Sequence, residues 1–329
     1  MMTSFTFYDT TILALGALFL GIIMLIKGGG WAVDSGVYVA TRFGISPMIV
    51  GFTIIAFGTS LPELIVSVFA NLQGSPGIAL GNVLGSNIAN ILMVLGGTAM
   101  FVTLNFRVSK SLMRDTIFMI AATLVLISLL YYGEISRFAG VVMVCVLAGY
   151  IFYQYKTTKP EDFEEEPIEE DIFKNHYDAF GALILGLVCI AVGAEFLVKG
   201  AKVCASLIGV PESVIALSII AFGTSLPELS TSVIAARKGH GGMVVGNIVG
   251  SNVFNILMIV GFAALAKPII QGSFSPQILN LDVWVALAVA VSFLLSLLIF
   301  GRINRLIGSL FFLSYTAYNI YIYVANLSL

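Results

Sequence analysis

Ile54-Ile55-Ala56-Phe57-Gly58-Thr59-Ser60-Leu61-Pro62-Glu63-Leu64 recurs letter for letter as Ile219-Ile220-Ala221-Phe222-Gly223-Thr224-Ser225-Leu226-Pro227-Glu228-Leu229. Both copies lie inside strongly apolar sequence, so each sets a carboxylate where hydrocarbon would penalise it. A charged side chain at the centre of a membrane helix costs about 2.5 to 3.5 kcal/mol on insertion scales. Two glutamates in identical surroundings therefore call for a compensating partner, and the simplest is a cation.

Outward from this stretch, the composition is that of a membrane protein: 59% hydrophobic and 10% charged residues, with a mean hydropathy of +1.02. Apolar runs long enough to cross a bilayer, about 20 residues each, fall at 10–28, 47–70, 78–101, 112–132, 135–155, 179–198, 211–236, 243–266, 280–300 and 303–326. The short apolar/polar alternation of a membrane β-barrel is absent, so these ten spans read as helices. The fold expected is an all-α polytopic membrane protein. Of the sixteen lysines and arginines, only Arg137, Lys199, Lys202 and Lys267 fall outside if the N-terminus is external. The positive-inside rule then places both termini outside the cell membrane. The first span reads as retained rather than as a cleaved signal peptide.

The repeat is wider than eleven residues. At the same offset of 165, Gly28 matches Gly193, Gly44 matches Gly209, Ser67 matches Ser232 and Gly74 matches Gly239. The correspondence continues without a gap through Gly81-Asn82 and Gly246-Asn247, Gly85-Ser86-Asn87 and Gly250-Ser251-Asn252, Asn90 and Asn255, and Gly96 and Gly261. Residues 1–155 thus read as one five-helix repeat, with its motif region at about 44–96, and 179–329 as a second, with its motif region at about 209–261. Because five is odd, the second copy enters the membrane from the opposite side, which makes the repeats inverted, a common transporter plan with substrate held between the halves. Residues 156–178 carry Glu161-Asp162-Phe163-Glu164-Glu165-Glu166 and read as an acidic, solvated cytoplasmic linker rather than a calcium sensor, because they lack EF-hand spacing.

A proline inside a helix removes a donor and clashes with the carbonyl four residues back, so Pro62 should release the carbonyl of Gly58, and Pro227 that of Gly223. In lipid, freed carbonyls are tolerated only where protein or a cavity satisfies them. Thr59, Ser60, Thr224 and Ser225 add hydroxyls within a turn of each carboxylate. Asn82, Ser86 and Asn90 share a helix face at i, i+4, i+8, as do Asn247, Ser251 and Asn255. All of these are hard oxygen donors, suited to Ca2+, Mg2+ or Na+ rather than to soft metals. For Asn82 and Asn247 helix packing and ligation weigh equally; for the deeper Ser86, Asn90, Ser251 and Asn255 ligation is favoured.

The paired Gly-Thr-Ser-Leu-Pro-Glu and Gly-Ser-Asn-x-x-Asn segments resemble the two α-repeats of the cation/calcium antiporter superfamily, and most closely the prokaryotic sodium/calcium exchangers. The resemblance covers nearly the whole chain and implies spans 2, 3, 7 and 8 around a diamond of cation sites. It implies that Glu63 and Glu228 contact both Ca2+ and Na+, and that Thr59 and Thr224 lend mainly backbone carbonyls to Ca2+. The Ala56 and Ala221 carbonyls, with the Ser60, Ser225, Ser86 and Ser251 hydroxyls, would help form outer and inner Na+ sites, while Asn90 and Asn255 would flank the centre. Some archaeal members and the potassium-dependent exchangers carry aspartate at the position of Asn255. Two central acids rather than three thus resemble the potassium-independent exchangers.

The activity expected is exchange of Na+ for Ca2+ by alternating access, electrogenic by the family's three-sodium stoichiometry. The cations would neutralise the carboxylates and let the protein rearrange, whereas the empty charged site would resist crossing the low-dielectric barrier. A proton/calcium antiporter could use the same carboxylates, and a passive channel or an intramembrane hydrolase are readings from other classes. The hydrolase lacks a catalytic set, since His176 and His240 fall in expected loops. The expected partners are the two transported ions and the lipid bilayer, with no cofactor, nucleic acid or obligatory protein partner. Glu195 reads as a partner of Lys199, its i+4 neighbour. Cys145, Cys189 and Cys204 read as reduced packing residues.

Overall fold

The computed structural model describes residues 7–102, 104, 108–157, 173–207 and 223–327. In chain order its helices are α1 (Phe7–Phe43), α2 (Pro47–Thr59), α3 (Leu61–Leu72), α4 (Pro76–Phe101), α5 (Lys110–Tyr132) and α6 (Arg137–Thr157), then α7 (His176–Leu207), α8 (Leu226–Arg237), α9 (Gly241–Ala266), α10 (Ile278–Phe300) and α11 (Arg305–Leu327). Among the described residues seven helices are long and apolar enough to cross a membrane, and α2 with α3, bent by 47°, make an eighth span. With α11, and with α8 as the described part of the seventh span, the order follows the ten spans expected. Most of the acidic linker, from 158 to 172, lies outside the described residues.

The first and sixth spans are much longer than their apolar cores. Expected at 10–28 and 179–198, they run for 37 and 32 residues as α1 and α7. A helix of 37 residues reaches about 55 Å, well beyond a hydrocarbon core of about 30 Å. Arg42, well beyond the end of the expected span at residue 28, is helical. Packing explains the extension, because α1 and α7 lie against each other along a seam of glycines. A Cβ added to Gly28 would come within 2.7 Å of the Gly186 carbonyl oxygen, and one added to Gly21 within 2.7 Å of that of Gly193. These contacts are reciprocal: Gly21 and Gly28 are the repeat counterparts of Gly186 and Gly193. A twofold axis therefore relates the two helices, and since Gly21 meets Gly193 while Gly28 meets Gly186, they run antiparallel. Such an axis lies across the helices, in the membrane plane, which is the geometry of an inverted repeat.

The same symmetry passes through the core. Gly246 and Gly250 of α9 pack so closely on α2 that an added Cβ would collide with the Met48 or the Phe52 carbonyl oxygen. Both α4 and α9 widen into π-helix over Asn90–Leu95 and Asn255–Val260, and α2 does so over Gly51–Ile55. Nothing in the sequence pattern marks these π segments. At one face β1 (Glu134–Ile135) pairs antiparallel with β2 (Ile269–Ile270), and Asn71 donates through Nδ2 to the Ala263 and Lys267 carbonyls at 2.7 and 2.6 Å, closing the end of α9.

Candidate cation centre

The broken helix forms as the proline requires. The chain leaves α2 at Ser60 (φ −86°, ψ 0°) and enters α3 with Pro62 in the first turn, and Ser225 (φ −94°, ψ 7°) precedes α8 and Pro227 in the same way. Proline is tolerated there because first-turn donors have no intrahelical acceptor. Glu63 and Glu228 consequently fall in the first turns of α3 and α8, where the helix dipole favours negative charge. Each carboxylate also accepts a hydrogen bond from its own backbone N–H.

Both glutamates are 1% exposed, and they are close enough for their charges to interact directly. The Thr59 hydroxyl of the first repeat lies beside the Glu228 carboxylate of the second. Among the described residues no lysine, arginine or histidine forms an ion pair with either. The π segments complete the centre, because α3 packs against that of Asn255 and α8 against that of Asn90.

What fixes the chemistry is the set of buried oxygens left without a partner within the protein. Ser60 Oγ, Glu63 Oε2, Ser86 Oγ and Asn90 Oδ1 are such atoms, and so are their counterparts Ser225 Oγ, Glu228 Oε2, Ser251 Oγ and Asn255 Oδ1. An unpaired buried polar group costs about 1 to 3 kcal/mol, and a charged one more, so eight in two symmetric sets describe a site, not eight faults. The amides are oriented for it. Asn90 Nδ2 donates to Asn252 Oδ1 at 3.0 Å and Asn255 Nδ2 to Asn87 Oδ1 at 2.9 Å, which consumes donors and leaves each Oδ1 as a free acceptor. A centre of carboxylates, amide oxygens and hydroxyls matches a hard cation.

The remaining residues singled out by the sequence take other positions. The Ala56 carbonyl accepts from the Ser60 N–H at 3.0 Å, and Thr59 Oγ1 lies 3.3 Å from the same oxygen. Thr224 lies half-buried in the turn before α8, and Ala221 lies outside the described residues. Asn82 and Asn247 stand back from the carboxylates. Asn82 donates to Ser67 Oγ at 2.9 Å and the Glu63 carbonyl at 3.3 Å, and Asn247 to Thr231 Oγ1 at 3.2 Å. Glu195 pairs with Lys199 at 2.6 Å, and the three cysteines are free.

Asn87 and Asn252 are site residues that the sequence pattern does not single out. They are duplicated in the Gly-Ser-Asn triplets, but they lie off the i, i+4 face that carries Ser86 and Asn90. A second feature hidden from the sequence is a clasp built twice. Asp115 of α5 accepts from Tyr150 at 2.6 Å and Gln154 at 2.7 Å on α6, and Asp282 of α10 accepts from Tyr318 of α11 at 3.0 Å.

Comparison with known proteins extends the geometry. The family model described as sodium/calcium exchanger protein matches residues 13–156 and 179–324. An uncharacterized membrane protein of Methanocaldococcus jannaschii is 36% identical over 310 residues, covering 92% of this chain and 96% of its own length. The sodium/calcium exchanger MaX1 of Methanosarcina acetivorans is 28% identical over 347 residues, covering 92% and 96%. A solved structure of the sodium-calcium exchanger NCX_Mj, soaked with zero Na+ and Ca2+, superposes with a TM-score of 0.81 at 31% identity, covering 93% of this chain and 97% of that one.

Proposed function

Because the chain belongs to the sodium/calcium exchanger family of secondary active antiporters, we propose that Glu63 and Glu228 are the two halves of one centre at which Na+ and Ca2+ replace each other. The observation that carries this reading is the matched set of eight buried, unpartnered oxygens, four from each repeat. Two carboxylates are balanced by one Ca2+ or by two Na+, and leaving both bare in a buried centre is strongly unfavourable. Each ion load thus makes the site electrically tolerable for the passage between its two open states, and the empty site does not pass. This gives exchange without leak.

In the assignment we favour, Glu63, Glu228 and the Thr59 and Thr224 carbonyls hold Ca2+. Ser60, Ser86, Ser225 and Ser251, with the Ala56 and Ala221 carbonyls, contribute to flanking Na+ sites, and Asn90 and Asn255 border the centre. A third Na+ at a flanking site would make each cycle move net charge. With amides at both 90 and 255, the centre has no third acid to call for K+. Residues 1–155 and 179–329 act as the two half-units, joined by the 156–178 linker on the cytoplasmic side, with both termini outside, as the lysine and arginine distribution favours.

The test is radiolabelled Ca2+ uptake into proteoliposomes under an imposed Na+ gradient, with and without K+, and with voltage clamped by an ionophore. Uptake should follow the Na+ gradient, respond to voltage and ignore K+. Uptake driven only by a pH gradient would replace Na+ with protons, and uptake needing no counter-ion would replace exchange with a channel.

A further inference from the structure

We infer that Asp34 and Lys238 form a latch that holds the ion path shut on the face of the protein where Lys238 lies, and that the matching positions of the other repeat, Lys199 and Gln73, form no such latch on the opposite face. The inference rests on the exchange reading, since a latch has meaning only where two faces open in turn.

The helices concerned are α1 and α8. Lys238, just after α8, forms an ion pair with Asp34 of α1, both side chains being partly shielded from solvent. Deeper in, Ser230 Oγ donates to the Leu25 carbonyl at 2.7 Å. Beside these two ties, Thr231, Ser232 and Asn247 meet the apolar Ile55, Met243 and Val244 in a packing crevice that has no room for a water molecule. Thr231 and Ser232 lie three and four residues beyond Glu228, on the same side of α8. Asn247 Oδ1 is buried and unpartnered at the crevice. This is a polar line from the carboxylate toward the Lys238 face, and it is closed.

The repeat offset shows why the other face differs. It carries Asp34 to Lys199 and Lys238 to Gln73, a lysine and an amide that cannot form an ion pair. Lys199 is bound instead to Glu195 of its own helix. Ser230 becomes Ile65, which has no hydroxyl to donate and is 56% exposed, and Ile234 becomes Phe69, 58% exposed. Asn82, the counterpart of the buried Asn247, is only half-buried. Opening the Lys238 face therefore breaks an ion pair that closing the other face does not replace, which tilts the two-state balance toward a closed Lys238 face. For a pair partly open to water the tilt is modest, about two- to fivefold in population.

The probe is a single cysteine, Ala235→Cys, in a background with Cys145, Cys189 and Cys204 changed to serine, labelled in vesicles by a membrane-impermeant thiosulfonate applied from the Lys238 face. Lys238→Gln should raise the labelling rate about two- to fivefold, and the exchanged pair Asp34→Lys with Lys238→Asp should return it toward the starting value. Gln73→Glu, at an exposed position that does not endanger folding, installs an acid opposite Lys199 and should also raise labelling. Unchanged labelling in Lys238→Gln and Asp34→Asn, with Na+-driven Ca2+ uptake intact, would overturn the latch. Unchanged labelling in Gln73→Glu would overturn the missing counterpart. Absence of uptake in the parent protein would overturn the exchange reading instead, so the failures are separable.

Discussion

Asn87 and Asn252 bind each other's backbone across the twofold axis: Asn87 Nδ2 donates to the Asn252 carbonyl at 3.2 Å, and Asn252 Nδ2 to the Asn87 carbonyl at 3.3 Å. Their own side-chain oxygens accept from Asn255 and Asn90. Four amides thereby lock one another, and the lock sets the direction of the two oxygens offered to a cation. Asn87→Ala or Asn252→Ala should therefore raise the Ca2+ concentration needed for half-maximal uptake. Leaving a buried donor unpaired should also lower stability by about 1 to 3 kcal/mol. Uptake kinetics and thermal unfolding of the detergent-solubilised protein check the two effects separately.

Glu63→Gln and Glu228→Gln remove a buried charge while keeping its shape. Na+-driven Ca2+ uptake should vanish in either variant, while the protein stays folded and is at least as stable as the parent in the absence of cations. Added Ca2+ should raise the unfolding temperature of the parent and not of the variants, since a ligand stabilises only the state that binds it. Retained exchange in either variant would remove the carboxylate from the centre.

Asn255→Asp would place a third acid beside the other two. Three negative charges need three positive ones, so Ca2+ alone would no longer balance the site. Uptake by this variant should become dependent on a monovalent cation such as K+, which assays with and without K+ at constant Na+ gradient would detect.

The α1–α7 seam is sensitive to single carbons. Gly28→Ala puts a methyl group within 2.7 Å of the Gly186 carbonyl oxygen, a backbone atom that cannot rotate away, whereas Gly30→Ala meets nothing within 4 Å. The first should destabilise the protein by about 1 to 3 kcal/mol and slow exchange. The second should leave both unchanged. A Gly28→Ala protein with parental unfolding temperature and uptake would show that the helices do not need this contact.

Much of the fold is legible in one dimension because of duplication. A constant offset of 165 over the motif regions reveals two copies, and an odd number of spans inverts the second without any knowledge of packing. The buried glutamates are legible for the same reason: a charge in an apolar run is costly, and the same charge in two runs is a design. The Asp115–Tyr150 and Asp282–Tyr318 clasp is hidden because its two versions are a few residues out of that offset. The latch is hidden because its ion pair exists in one repeat and not in the other.

By itself, then, the sequence determined the class of fold, the inversion, the break before each glutamate and the hardness of the donor set, since each depends on local chemistry or on a count. Only the tertiary structure decided which oxygens are left free. An asparagine in a sequence is donor and acceptor alike, and Asn90 and Asn255 become acceptors toward the centre only because Asn252 and Asn87 occupy their donors. The closure of one face belongs to the tertiary level as well. It rests on Asp34 meeting Lys238 across 204 residues, a contact made by the packing of α1 on α8 and by nothing local to either.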